Sequence, residues 1–311
     1  MTAAPPFQAP LVLGKPYRPV VHDKRLAAHR RLIAGSGLAR SRPLWSLLGW
    51  SLCAAALVLL GVAMCWILGT ILFKGVSALS LTIFIEPTQG NGGGLLNAIE
   101  GTAVMALGTL ILAVPLGVAA GAYGGLFPDA IWARTIRFFS DTLVGVPSIV
   151  LGYADYVILV QALGWHFSTA AACVTLAIIC LPYICRFNEL AFAAISPDLR
   201  QSVYAIGANE RQAILLVFLP AATPGVLTGV LLALSISVGE TAPLLYTAGW
   251  SNYLWNGHLF HMPIAHLTYA IWTFINEPLA SANALAYAAA LLVTSFVLLL
   301  SVASRLILQA R

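Results

Sequence analysis

Six long apolar runs, separated by charged or strongly polar punctuation, set the pattern of this chain. They cover about Leu44–Phe73, Thr102–Phe127, Thr142–Leu163, Phe167–Cys185, Ala213–Gly239 and Leu279–Ser304, and Asp155 is the one charge inside them. A helix needs roughly 20 apolar residues to cross a hydrocarbon core of about 30 Å. The pattern therefore predicts an all-α integral membrane protein of six transmembrane helices. Two stretches outside the runs break it, the first of them, Thr241–Asn276, without any charge. Thr241–Asn276 holds Ser251, Asn252, Asn256, His258, His261 and His266 with Pro243 and Pro263. That mixture predicts an outer-face loop, partly re-entrant, in place of a seventh span. Val76–Gly101 contains Gly90-Asn91-Gly92-Gly93-Gly94, read as a flexible extracytoplasmic turn. It lacks the Gly-Lys-Ser/Thr ending of a phosphate-binding loop, so ATP binding is not indicated.

Charge orients the spans. Lys15, Arg18, Lys24, Arg25, Arg30, Arg31, Arg40 and Arg42 precede the first run; Arg134 and Arg137 lie between runs two and three; Arg186, Arg200 and Arg211 lie between four and five; Arg305 and Arg311 follow the last. With both termini cytoplasmic, fifteen of the sixteen basic residues fall inside, as positive-inside orientation requires, and Lys74 alone falls outside. Only 9% of residues are charged and 60% are hydrophobic. An ordinary soluble domain carries about 25% charge, so a soluble enzyme, a disordered chain and a nucleic-acid binder are excluded. The basic surplus belongs to the N-terminal tail. Some 43 residues precede the first run, which is too long for the apolar region of a cleavable signal. The implied organisation is a basic tail at 1–43, a first span with its outer loop at 44–96, and a core at 97–305 containing a cytoplasmic loop at 196–212. Cys53, Cys65, Cys173, Cys180 and Cys185 all lie in apolar runs and are expected as small buried hydrophobes without disulfides. The three histidines of the outer loop lack metal-ligand spacing and are expected to be solvated or interfacial.

The loop at 196–212 has its own helix signals. Ser196-Pro197-Asp198 is a cap, a residue with preset φ and an anion at the positive helix end. Leu199, Val203 and Ile206 form one apolar stripe, Gly207 suits a stop, and Asn209-Glu210 can start the next helix, with Leu219-Pro220 inside it. A short amphipathic helix between two spans can seat in a groove on a cytoplasmic partner. The competing reading is an interfacial helix on lipid, although Arg200 is its one cation.

This stretch resembles the coupling loop of ABC-importer permeases: Glu-Ala-Ala, three residues, Gly, nine residues, Ile, one residue, Leu-Pro. The matching positions are Gln201-Ser202-Val203, Gly207, Val217 and Leu219-Pro220; the Gly and Leu-Pro are kept and the Glu-Ala-Ala is not. Leu96-Asn97-Ala98-Ile99-Glu100-Gly101-Thr102, Val144-Gly145-Val146-Pro147-Ser148-Ile149-Val150, Leu181-Pro182-Tyr183 and Gly239-Glu240-Thr241-Ala242-Pro243-Leu244-Leu245 narrow the resemblance to phosphate-importer permeases of the PstA family. It implies a type I importer half-pore in the bacterial inner membrane, paired with a PstC-like permease, a PstB-like ATPase dimer and a PstS-like phosphate-binding protein. ATP and magnesium would sit on the ATPase, with no cofactor in this chain and no enzymatic role of its own. Gln201, Ser202, Val203, Tyr204, Gly207, Leu219 and Pro220 would then serve coupling to the ATPase. Three alternatives remain: a permease for another oxyanion such as molybdate or sulfate, a non-transporting regulatory or scaffold subunit, and an intramembrane enzyme. The last would need a nucleophile-base or metal constellation that the chain does not offer.

A charge at a helix centre costs at least about 2.5–3.5 kcal/mol, which makes the few charges near the spans candidates for a substrate path. These are Arg186 and Glu189 after run four, Glu240 at the end of run five, and Asp141 opening run three. Arginine supplies charge-assisted donors to a phosphate. Gly239 permits a break, after which Thr241 and Pro243 can cap a new turn whose N–H groups face an anion. Glu240 can accept a proton from hydrogen phosphate or hold an arginine. In the competing reading Arg186 pairs structurally with Glu240 or Glu189. Asp155 is expected to make a polar contact with a neighbouring span near Tyr153 or Tyr156. Related permeases often carry an arginine where this chain has Ile236.

Overall fold

The computed structural model describes residues 38–309. Residues 1–37 of the expected basic tail lie outside them. The chain divides into two units, Met1–Trp66 and Ile67–Arg311. In the first, the described residues form the opening turns of one long apolar helix, α1 (Leu38–Ala78).

The second unit takes the end of α1 and continues with α2 (Leu81–Ile85), β1 (Thr88–Gln89), β2 (Gly92–Gly93), α3 (Leu96–Leu126), α4 (Ile131–Gly145), α5 (Ser148–Asp155), α6 (Thr169–Ala193) and α7 (Pro197–Ala205). Then follow α8 (Glu210–Gln212), α9 (Leu219–Gly239), α10 (Leu244–Thr247), α11 (Leu267–Phe274) and α12 (Ala280–Gln309). π-helical stretches extend α5 over Tyr156–Ala162 and join α8 to α9 over Ala213–Phe218. The second of these ends immediately before Leu219-Pro220. A proline cannot donate to the preceding turn and crowds its carbonyl, and the wider π turn absorbs both defects.

Among the described residues, Trp45–Ala78, Leu96–Leu126, Thr169–Ala193, Glu210–Gly239 and Ala280–Ile307 are long and apolar enough to cross a membrane. Five of the six expected runs are thus continuous helices with shifted ends. The third is not. Thr142–Leu163 is interrupted at Val146-Pro147, and the helical segments on either side, Ile131–Gly145 and Ser148–Ala162, meet at 100°. Proline disfavours helical backbone at the residue before it, and Val146 is extended with ψ 127°. Between Thr241 and Asn276 lie only α10, α11 and irregular chain, with no helix long enough to span. The glycine run is not a loose turn. It folds as an antiparallel ladder pairing Thr88 with Gly93 and Gln89 with Gly92. Gly90 and Gly93 take φ of +58° and +80°, a region that disfavours other residues.

The centre of this unit is the α3–α6 contact. A Cβ on Gly117 would strike Ile184, on Gly121 the Cys185 carbonyl, and on Gly125 the Glu189 carbonyl. The spacing 117, 121, 125 is a doubled Gly-xxx-Gly, which lets two backbones approach where lipid supplies no hydrophobic drive. α9 packs on the same helix through Gly225 against Ala191 and Gly229 against Phe187. Cys173, Cys180 and Cys185 are buried, as expected, whereas Cys53 and Cys65 are exposed. Both lie on α1, a helix apolar on every face, where an apolar sequence does not itself mark the covered side. Lys74 sits over the Tyr287 ring of α12 at 4.7 Å and donates to its hydroxyl at 3.3 Å.

Candidate functional site

One end of the α3–α6 pair gathers the basic residues. There α7 forms from local signals: the Ser196 hydroxyl accepts from Leu199 N at 3.3 Å, Pro197 opens the helix, and Gly207 ends it at φ +83°. Asn209 and Gln212 then make a reciprocal capping box that starts α8. The expected outward stripe is corrected at Val203. This residue is 4% exposed and packs in its own chain with Phe192, Ile195, Ala213 and Phe218, while Ile206 is 84% exposed. A short helix closing over the ends of two spans must give one face to them, and Val203 fills that place. Gln201, Ser202 and Tyr204 are exposed, and the Tyr204 hydroxyl donates to Glu210 at 3.1 Å.

Beside α7 lies an ionic cluster centred on Glu189, 7% exposed on α6. Arg137 of α4 donates from Nε to one carboxylate oxygen, and Arg186 donates from Nη1 to the other at 2.9 Å. Arg137 also reaches the carbonyls of Pro128 and Gly124, at 3.3 and 3.2 Å. Arg200 reaches those of Gly125 and Phe192. Arg137, Glu189 and Arg200 border a hollow of about 330 Å³ together with Ala193, Ile195 and Pro197.

Of the two structural partners weighed for Arg186, it takes Glu189 and not Glu240. Phe187 lies against Gly229, and Glu240 is eleven residues further along α9 (229 to 240), about 16 Å of helix. The Glu240 carboxyl instead faces the Ser148 hydroxyl of α5. Asp141 does not open a span. It is exposed within α4, one turn after Arg137, and takes no part in the ion pairs formed among the described residues. α9 stops at Gly239 and Glu240 is extended, its carbonyl accepting from the Thr268 hydroxyl at 2.8 Å. Leu245 N returns to the Thr241 carbonyl at 3.3 Å, closing the single turn of α10. Pro243 lies so close to Gly152 that a Cβ there would collide with it.

At the opposite end, residues 96–102 fasten the loop from Ser251 to Leu267. The Asn97 amide accepts from both Thr88 N and its hydroxyl at 3.0 Å and donates to the Ser251 carbonyl at 2.7 Å. Glu100 accepts from Trp255 N, Thr102 accepts from Leu267 N, and Gly101 lies against the Ala265 carbonyl. His266 departs from the solvated expectation: it is 1% exposed, and burial holds its pKa down to about 4. It shares a cavity of about 10 Å³ with Thr102, Ser237 and Thr268. His258 and His261 are exposed. Asp155 is buried facing Thr175 of α6, while Tyr153 and Tyr156 pack on Tyr246.

The family described as "Binding-protein-dependent transport system inner membrane component" matches residues 113–311. The phosphate transport system permease protein PstA 2 of Mycobacterium bovis is 40% identical over 284 residues, covering 91% of each chain. The phosphate transport system permease protein PstA of Yersinia pestis is 39% identical over 246 residues, or 78% of this chain and 82% of its own. That of Haemophilus influenzae is 38% identical over 251 residues, 79% and 87% of the two chains. The chain belongs to the PstA family of permeases. Its fold is shared with a chain of the MetNI methionine ABC transporter in an inward-facing conformation, at a TM-score of 0.54 and 21% identity, covering 75% of this chain and 99% of that one. A PstA-family chain with these apolar helices is a multi-pass inner-membrane protein.

Two features of this permease escaped the sequence reading. Arg137, placed in a loop, counted only as an orientation signal; its position in α4, amphipathic across residues 131–145, was the available clue. Asn97 and Glu100 entered only as part of a resembling string, although a buried-side amide and carboxylate in the first turns of a span had no other apolar-phase explanation.

Proposed function

We propose that the protein is the permease subunit through which an ATP-driven importer moves inorganic phosphate inward across the inner membrane. The observation that carries this reading is the 40% identity to a phosphate transport system permease across 91% of both chains. The subunit works with a second permease, an ATPase dimer and an extracytoplasmic phosphate-binding protein. ATP and magnesium belong to the ATPase, and this chain carries no cofactor. Both termini are cytoplasmic, so the basic end faces the ATPase. The core is 97–305, preceded by the tail at 1–43 and the span and outer loop at 44–96.

In this reading the segment 196–212 is the contact with the ATPase. Ile206, Tyr204, Gln201 and Ser202 offer the exposed surface, Val203 and Gly207 hold its shape, and Leu219 and Pro220 join it to α9. Arg186 gives only Nη1 to Glu189 and its side chain is 53% exposed, which leaves donors for a passing anion. Glu189, Glu240, Thr241 and Asp141 complete the candidate path. The test is radiolabelled phosphate uptake into proteoliposomes holding the full complex, with sulfate and molybdate as competitors. Phosphate should be carried, and Arg186→Ala should abolish uptake in complexes that still assemble. Arg186 pairs with Glu189, so recovery of uptake in Arg186→Ala/Glu189→Gln would show a structural pair and remove Arg186 from the path. A second reading, transport of another oxyanion, rests on Ile236 in α9; carriage of sulfate or molybdate without phosphate would establish it. An assembled complex that carries none of the three would leave a regulatory or scaffold subunit.

A further inference from the structure

We infer that Arg200 is the positioning residue that passes movement of α7 into α3 and α6, the most closely packed pair of spans. This rests on the reading of α7 as the contact with the ATPase. Arg200 is the one basic residue between Pro197 and Ala205, and its side chain folds back onto the spans. Its Nη2 donates to the Phe192 carbonyl at 2.7 Å and to the Gly125 carbonyl at 3.3 Å. Gly125 lies in the last turn of α3 and Phe192 in the last turn of α6. Carbonyls there lack intrahelical partners and carry the negative end of the helix dipole. Of the chain's own N–H groups, the Phe192 carbonyl receives those of Ile195, at 3.3 Å, and the capping Ala194. One guanidinium thus ties three helices at two of their open ends.

The neighbouring contacts give this tie its direction. Val203, one turn along α7, is buried against the cluster containing Phe192, whose carbonyl Arg200 holds. The adjacent α3 carbonyl, Gly124, belongs to Arg137, which is itself bound to Glu189 of α6. A displacement of α7 therefore cannot leave α3 and α6 in place without breaking both Arg200 bonds. The hollow of about 330 Å³ beside Arg200 gives that side chain room to exchange partners. Its Nε is buried without a hydrogen-bond partner, so the present arrangement leaves one donor for a second arrangement to satisfy.

A merely structural cap would lower the amount of complex without changing what each complex does. The full complex in proteoliposomes separates the two through the number of ATP molecules hydrolysed per phosphate delivered. Arg200→Met keeps the length of the stem and removes the donors, and it should raise that ratio about tenfold in assembled complexes. Arg200→Lys keeps a charged donor on a shorter, unforked end and should bring the ratio partway back. Should Arg200→Met fail to assemble, Arg200→Lys must still show a raised ratio. A wild-type ratio in the assembled variants, or uptake and hydrolysis falling together in step with complex recovered, would overturn the proposal. Ile206→Asp serves as the separate check on α7. Release of the ATPase by Ile206→Asp beside a wild-type ratio in Arg200→Met would overturn the role of Arg200 alone. Retention of the ATPase by Ile206→Asp would overturn the reading of α7, and the proposal with it.

Discussion

The two ends of the α3–α6 pair are fastened by opposite chemistry. At the basic end, Arg137, Arg186 and Arg200 hold one carboxylate and a set of helix-end carbonyls, and two of the guanidinium groups are partly open to water. At the other end the fastening runs through the Asn97 amide, the Thr102 and Thr268 hydroxyls and the Glu100 carboxylate, closed over by the loop. Partly hydrated ion pairs are made and broken at little net cost. Buried neutral groups lose their full desolvation energy when a partner is removed. The basic end is therefore the cheaper of the two to rearrange.

The largest break in that comparison should come from Asn97→Ala. It strips a side chain 2% exposed of three bonds and leaves the buried Thr88 N–H without its acceptor, so unfolding of the detergent-purified protein should lose about 3 kcal/mol. A larger loss from Glu189→Leu than from Asn97→Ala would overturn this order. The second effect is a pH slope at the same end. A His266 ring held near pKa 4 when folded binds its proton at about 6.5 when unfolded. Its contribution to stability is complete above pH 6.5 and is lost as pH falls toward 4, by about 2 kcal/mol at pH 5. His266→Gln should flatten melting temperature against pH across that window; an unchanged slope would assign it to other groups.

At the basic end the effects should be smaller. Glu189→Leu leaves two guanidinium groups facing each other, but both can turn toward water, so the cost should be about 2 kcal/mol, with Glu189→Gln near half of that. Arg186→Ala should change stability by less than about 0.5 kcal/mol, because a half-exposed i,i+3 pair contributes little. That small number sharpens the transport test: loss of uptake at unchanged melting temperature reports on the path and not on folding.

Local chemistry was legible in the sequence and register was not. Ser196, Gly207 and Asn209 mark their caps and stop from neighbours within four residues, and they fold as read. Five apolar runs return as helices because length and hydropathy decide a span. The Val146-Pro147 break was hidden because a bent segment is as apolar as a straight one. The partner of Arg186 depends on how far α9 slides along α6, a quantity no single segment encodes. Val203 turned inward for a related reason: a stripe specifies that a face is covered, not by what. His266 was misplaced because the loop that buries it is fastened by residues distant in the chain, among them Asn97, Glu100 and Thr102, some 150 residues earlier (102 to 251).

The bend at Val146-Pro147 carries a consequence for the surrounding lipid. Each arm has 15 residues, so each is at most about 22 Å long, short of a hydrocarbon core of about 30 Å. At 100° the two lengths do not add along any one direction. Beside this segment the bilayer meets a hydrophobic mismatch, and the annulus there must thin or be replaced by protein. Where lipid and not protein covers this segment, thinner bilayers relieve a deformation that thicker ones enlarge.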